Sequence, residues 1–399
     1  MRVLVLLNSL ELGGTQINAV DFSVALRSHG VESLLAGERS SLGSEPNLLT
    51  YAAEQNVDVE VYDAEPGMRA HAAQLTSLAR RLEIDLIHVY GMWGVPRQVF
   101  WGPARFGRVP WVQTVYEMSV APVVLRHMPL IVGTGYLVDE LRDRPALTVL
   151  ISPPVDLERD TPLTVDPDAF RRANSLGDGP LLGIVSRLDS HMKAVAIEIA
   201  IDAMRSLAAE GVTLFVVGAG DAADSLNARA REVNAEVGRE AVRMLGARAD
   251  PRPAYAAADI MLGMGGSAAR SLAFGRPLIV QGEAGWSKLF EPSTAESLAR
   301  SSYWSPDTVA EPVDDLVRAI RTLLPDAPRR AQLGAFGREF AAERFGLEAM
   351  TVRMAAFYVE ALSAYGSRAW AADLPREGRR LIEKVTRRFH RDQIVEGTS

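Results

Sequence analysis

The 399-residue chain contains no cysteine, which excludes disulfides, thiolate nucleophiles and cysteine-ligated metal sites. Lysine is nearly absent, with three lysines among the 43 basic residues. A cation this scarce is not general surface decoration. No apolar run approaches the ~18 residues of a spanning helix. The apolar opening Met1–Leu7 is short, and Asn8, Ser9 and Glu11 follow it without a small-residue cleavage site, so it is not read as a signal peptide. The expectation is a cytoplasmic protein. The chain also lacks a basic excess. Its formal charge of −7 argues against a nucleic-acid footprint but permits a small anion held by a few local cations. The arginine bias is associated with GC-rich bacterial coding and carries no physical argument.

What is present is ordinary for a soluble globular protein: 48% hydrophobic and 23% charged residues. The length is too great for one common core and predicts two domains with a tail. Short runs rich in Val, Ile and Leu alternate with helical patterns, which indicates parallel β–α–β units. In the first half these runs are Val3–Leu7, Ser33–Ala36, Val59–Tyr62, Leu86–Tyr90, Trp111–Val115, Leu130–Gly133 and Thr148–Ile151. In the second half they are Leu181–Ser186, Thr213–Val217, Val242–Leu245, Asp259–Leu262 and Pro277–Gln281.

Ser152-Pro-Pro-Val-Asp156 and the polar stretch to Pro180 separate the two series. Consecutive prolines neither continue a helix nor donate to a central strand, so a linker is expected between about 156 and 180. Asp166-Pro-Asp168, inside it, is read as a turn. The pattern is two open α/β sheets joined by a hinge, with ligand expected at carboxyl strand ends in a cleft between them. After Phe345 the spacing of Leu347, Met350, Met354, Phe357 and Leu362 predicts a long closing helix. Beyond it, Leu381, Val385 and Phe389 form a thin apolar stripe among arginines. That pattern suits a solvated helix packed on the body, and membrane-surface contact stays open.

Several glycine turns sit where strands end. Leu7 runs into Gly13-Gly14-Thr15, where glycine lets backbone approach a ligand and Thr15 opens a helix with free amides; a plain turn is the alternative. The segment Gly183–Lys193 places Arg187 and Lys193 at a strand's carboxyl end beside a helix amino terminus, a site suited to phosphate. Thr213–Val217 runs into Gly218-Ala-Gly220, and Val242–Leu245 into Gly246. Gly263-Met-Gly265-Gly266-Ser267 opens another helix, with Ser267 read as its N-cap. His88, ending a strand, is a candidate acceptor contact or a histidine satisfying backbone groups; Glu117 is a candidate acceptor-orienting carboxylate. His191 is read as a diphosphate contact or an exposed loop residue, and Trp286 as a lid or a packed anchor. No aspartate pair sits at a strand end to bind Mg²⁺, so no metal or cofactor is expected.

The order of these motifs resembles family-four glycosyltransferases of the GT-B type, over nearly the whole chain. The residues that carry it are the Gly-Gly loop, Ile151–Asp156, Arg187 with Lys193, Gly218/Gly220, Leu245-Gly246, Ala258-Asp259 and Ala273-Phe-Gly275-Arg-Pro277. The resemblance implies two Rossmann-like α/β/α domains, at 1–160 for the acceptor and 178–344 for the donor. It also implies a closing segment at 345–399 that returns to the first domain. It further implies a metal-independent enzyme that moves a sugar from a nucleoside diphosphate sugar to a hydroxyl acceptor (a small molecule, saccharide or natural product), with retention of configuration. Arg187 and Lys193 would then neutralise the diphosphate, with Gly14 and Thr15 near its β-phosphate. Gly265, Gly266 and Ser267 would contact phosphate or sugar, Met244, Leu245 and Gly246 would lie against the base, and Gly218 and Gly220 would line the donor site.

Departures accompany the match. The family's two glutamates, seven residues apart, are replaced by Gly263 and Arg270, and a histidine that contacts the sugar is replaced by Tyr116. Arg270 therefore changes the expected nucleotide contact, and Tyr116 the expected sugar contact. Loss of partners for donor hydroxyls suggests a deoxygenated or modified sugar. An epimerase or hydrolase on the same scaffold, or a degenerate nucleotide-sugar-binding subunit, stays open. A nicotinamide dehydrogenase is disfavoured because the first β–α unit lacks the fingerprint and its ribose-binding acid.

Overall fold

A computed structural model describes residues 1–43 and 47–380. The chain divides into two compact units. The first comprises Met1–Gly133, Leu137–Ser152 and the segment from Thr351; the second comprises Thr134–Tyr136 and Pro153–Met350.

Among the described residues, the first unit is built on seven strands: β1 (Arg2–Leu7), β2 (Glu32–Glu38), β3 (Val59–Tyr62), β4 (Leu86–Tyr90), β5 (Trp111–Val115), β6 (Leu130–Val132) and β7 (Thr148–Leu150). They lie in the order β3-β2-β1-β4-β5-β6-β7, and each recorded pairing is parallel. The central strands are apolar at successive positions because both faces are covered: every residue of β4 and β5 is buried. The sequence pattern therefore marked these strands by their continuous hydrophobicity. The order reverses between β1 and β4, where an open parallel sheet leaves room beyond its carboxyl ends.

The second unit has six: β8 (Leu181–Val185), β9 (Thr213–Val217), β10 (Val242–Gly246), β11 (Ile260–Gly263), β12 (Leu278–Gln281) and β13 (Ser287–Leu289). Their order is β10-β9-β8-β11-β12-β13, with β13 antiparallel to β12. The sequence pattern does not mark β13, since three residues after a glycine turn, the middle one exposed, carry no periodic signal. The helix Ala194–Leu207 follows β8 and buries Ala196, Ile197, Ile199, Ala200, Ile201, Ala203, Met204 and Leu207. An apolar surface this broad reflects a helix packed on the sheet and between its neighbours.

The stretch expected as a linker is part of the second unit. Asp166 does not form an isolated turn: its carboxylate accepts from the Ala169 amide at 2.8 Å and caps a helix over Pro167–Ala173. Phe170 and Leu176 enter the core of that unit. The helix Leu347–Ala364 buries Met350, Met354, Phe357, Tyr358 and Ala361. The chain passes back to the first unit along it, at Thr351. Residues 367–380 are again helical. The stripe at Leu381, Val385 and Phe389 lies outside the described residues. No helix among the described residues is long and apolar enough to cross a membrane.

Candidate active site

In the second unit the loop after β8 is fixed by its neighbours. The Ser186 amide donates to Val217 O at 3.0 Å and the Leu188 amide to Ala219 O at 2.9 Å. A Cβ on Gly218 would collide with Ser186 O, and one on Gly220 with Leu188 O. These two glycines are therefore required by loop-on-loop packing. No donor contact is needed to explain them. Asp221, to which the sequence assigned no role, accepts from the Ser190 amide at 3.0 Å and its hydroxyl at 2.6 Å. Asp189 accepts from the Met192 amide at 2.8 Å, and its own carbonyl receives the Ala194 amide at 3.0 Å. Short polar side chains capping a turn this way set the direction in which the next residue leaves.

That residue is Lys193, largely buried, with its Nζ 3.5 Å from Met264 O. It lines a small hollow together with Ser186, Gly263, Met264, Ser267 and Gln281. The fold thus brings the lysine after β8 to the glycine loop after β11, seventy residues further along the chain. Burial pushes the Lys193 ammonium down to about 8, opposed by Asp189 and assisted by Arg187. Arg187 does not share this setting. Its side chain is 84% exposed, and its nearest acid is Asp189 at 3.9 Å. The two cations read as a pair in sequence are a buried one and a solvated one. Six residues of irregular loop do not determine side-chain depth.

The helix after β11 runs from Gly266 to Ala273, and its N-cap is Gly265 at φ 60°, ψ −129°. Ser267 is therefore not the cap. Its Oγ donates to Met264 O at 3.1 Å and accepts from the Met264 amide at 3.3 Å, closing the loop on itself. The positive φ at Gly265 favours glycine, and a Cβ at Gly266 would meet nothing. Helical bonding begins at the Ala269 amide, so the Gly266, Ser267 and Ala268 amides precede it and are free for an anion. Lys193 stands next to this helix start.

Arg270, on the same helix, donates from Nε to Asp160 at 2.8 Å. Asp160 is fully buried; its second carboxylate oxygen has no partner, and its backbone carbonyl accepts from Arg338 at 3.2 Å. Arg270 is thus engaged by an aspartate 110 residues earlier, a partner no local motif announces. Met244 and Leu245 at the end of β10 are half-buried, and Gly246 is exposed with φ 69°. Trp286 packs against the apolar core of the unit, as an anchor does, and His191 is exposed.

In the first unit a helix starts at Gly14, capped by Gly13. A Cβ on Gly13 would meet only the movable tip of the Gln16 side chain, and Gly14 faces open space, so protein packing requires glycine at neither position. Gln16 in turn donates to Asn8 at 2.9 Å. Thr15 is half-buried beside it. His88 is not an acceptor contact. It is wholly buried, its Nδ1 lies 2.6 Å from Tyr358 Oη and its Nε2 2.6 Å from Thr114 Oγ1, and it stacks on Tyr90. Tyr116 packs edge-on against Tyr90, with its hydroxyl buried and unpartnered. Glu117 is half-buried next to it.

Burial lowers His88 to about 3. Below its ordinary value of ~6.5 the unfolded chain therefore binds the proton more readily than the folded one, and acidification from 6.5 towards 3 costs stability. The expected slope from this group is about 1 kcal/mol per pH unit. Melting wild type and His88→Gln between pH 7 and 4 checks it: the variant should lose part of the acid sensitivity.

Residues 179–326 match the family described as Glycosyl transferases group 1. No functionally curated protein matches the chain. Among solved structures, Alr3699/HepE of Anabaena in complex with UDP is similar at TM-score 0.69 and 19% identity, covering 90% of this chain and 100% of that one. Further structures of that protein hold UDP with glucose, and UDP-glucose. A glycosyltransferase from Rickettsia africae aligns at TM-score 0.69 and 12% identity, over 90% of this chain and 98% of its own. Sucrose-phosphate synthase of Thermosynechococcus elongatus aligns at TM-score 0.65 and 17% identity, over 91% and 100%. Residues 179–326 thus carry the group 1 signature, and the chain as a whole has the two-domain α/β architecture of these GT-B structures.

Proposed function

We propose that this protein is a glycosyltransferase that moves a sugar from a nucleoside diphosphate sugar to a hydroxyl acceptor. The observation that carries the reading is the meeting of Lys193 Nζ with the Gly263–Ser267 loop, in the segment that matches group 1. The UDP and UDP-glucose complexes of the Anabaena relative support a nucleotide-sugar donor. The hollow beside Lys193 has a volume of about 10 Å³, room for one water at most. The diphosphate therefore sits at its mouth, on the Gly266, Ser267 and Ala268 amides, with Lys193 beneath and Arg187 reaching in from solvent.

As the bond from sugar to phosphate breaks, negative charge grows on the departing diphosphate. A fixed cation and a helix amino terminus stabilise it without having to reorient. The departing oxygen receives the acceptor's proton. In this reading the charge is met by protein groups and not by a metal ion. Retention of configuration enters through the sequence resemblance. Gly263, standing where the family's sugar-contacting glutamate would be, supports a sugar with fewer hydroxyls than glucose.

A thermal-shift panel of nucleoside diphosphates and nucleotide sugars tests the reading. A ligand at a hundred times its dissociation constant adds about 2.7 kcal/mol. Stabilisation by one nucleoside diphosphate series, followed by its release on addition of an acceptor, is the expected result. No response to any member rejects the assignment. Clear preference for a fully hydroxylated hexose rejects the modified-sugar part alone.

A further inference from the structure

A cavity of about 90 Å³ opens in the first unit beyond the carboxyl ends of β4 and β5. Its walls are mostly apolar, from Met92, Trp93, Pro96, Val123 and Leu125, and Gln113 of β5 lies among them. Gln113 is 1% exposed, and its Nε2 donates to Gly91 O at 2.8 Å. A carbonyl only accepts, so this bond fixes which end of the amide is nitrogen. The other end, Oε1, is buried without a partner. A buried acceptor left unmatched is costly unless something donates to it.

The arginines on the polar rim are engaged elsewhere. Arg97 gives its Nε and Nη2 to Glu377 at 2.8 and 2.7 Å. Arg380 gives Nη1 to Glu377 at 2.7 Å and Nη2 to Pro122 O at 2.8 Å. Trp101 completes the fully buried Glu377 carboxylate at 3.2 Å. Glu377, on the helix through residues 367–380, thus holds both arginines, and Arg380 is fixed at Pro122 as well. The Trp93 indole stands 61% exposed at the mouth, a flat apolar face ready to cover a bound group.

We propose that this cavity receives the apolar end of the acceptor, with a hydroxyl or amide N–H of that molecule donating to Gln113 Oε1. The inference rests on the glycosyl-transfer reading and names the acceptor class: an alcohol with a short branched-alkyl or small-ring end, in preference to a saccharide or an anion. Size sets the limit. An engineered apolar cavity of 150 Å³ holds benzene, so 90 Å³ admits a smaller alkyl group and excludes a fused ring system. A saccharide carries hydroxyls on every side and would meet one acceptor and several apolar walls.

Isoamyl alcohol and its methyl ether, observed by saturation-transfer NMR on the full chain, test this. The alcohol should bind wild type several-fold more tightly than the ether, which cannot donate. Gln113→Leu should erase that preference, and Val123→Trp, which fills the space, should reduce alcohol binding at least tenfold. A melt of each variant shows that it is folded. No binding to wild type, equal binding of alcohol and ether, or undiminished binding to the Val123 variant overturns the inference. Nucleoside diphosphate binding, measured in the same samples, reports on the second unit. If it fails while the alcohol binds, the transfer reading falls and the cavity assignment stands as a binding site; the reverse removes the acceptor class alone.

Discussion

Lys193→Met is expected to lower sugar transfer by about 10²–10³-fold, the usual cost of removing one group that stabilises developing negative charge. The same change should not weaken the fold. Burial holds the Lys193 ammonium at about 8 against 10.5 in the unfolded chain, so its charge opposes folding at neutral pH by an amount on the order of 3 kcal/mol. Methionine has similar length and no charge to desolvate. The variant should therefore melt no lower than wild type at pH 7, separating lost function from lost structure. Arg187→Ala should have a distinctly smaller effect, because an 84% exposed guanidinium acts through solvent and salt.

The pH dependence follows with opposite signs for stability and for binding. Between pH 8 and 10.5 the unfolded chain holds the Lys193 proton and the folded one releases it, so unliganded stability rises through that window. Diphosphate affinity falls in the same range, since the site must regain a proton to bind an anion. Calorimetry of nucleotide-sugar binding at pH 8, in buffers of different ionisation enthalpy, should show proton uptake by wild type. Lys193→Arg, whose charge does not titrate there, should show none. Equal uptake by both would mean that Lys193 does not meet the diphosphate.

Asp160→Ala carries the second large effect, this time on stability. It leaves Arg270, half-buried on the helix after β11, without its carboxylate at 2.8 Å. Removing one member of a buried ion pair costs about 3–5 kcal/mol, because the remaining charge stays desolvated. For a unit of this size that is roughly 6–20 °C in melting temperature. Adding Arg270→Met should restore most of the loss, since replacing both partners by apolar groups is often neutral. Thermal melts of the two single variants and the double variant close the cycle. A loss under 1 kcal/mol for Asp160→Ala would mean that water replaces the carboxylate.

Much of the architecture was legible because parallel strands covered on both faces must be apolar at consecutive positions. Leu86–Tyr90, Trp111–Val115 and Thr213–Val217, each buried throughout, have the same bounds in sequence and structure. Elements without such a signal were missed or misread. β13 has only three residues, and Asp166 caps a helix inside the stretch expected as a linker. Ser267 occupies a cap-like place in the sequence, yet Gly265, with its positive φ, is the cap and the helix starts two residues earlier.

By itself, the sequence determined the alternating α/β pattern, the glycine turns at strand ends and the rarity of lysine that singled out Lys193. Those features depend on neighbours a few residues apart, where periodicity and backbone sterics act directly. Only tertiary structure decided that Lys193 is buried against Met264 while Arg187 is solvated, that Arg270 answers to Asp160, and that both His88 nitrogens are occupied. Desolvation and hydrogen bonding across tens to hundreds of residues set the charge and availability of each group. That information appears only once the chain is packed.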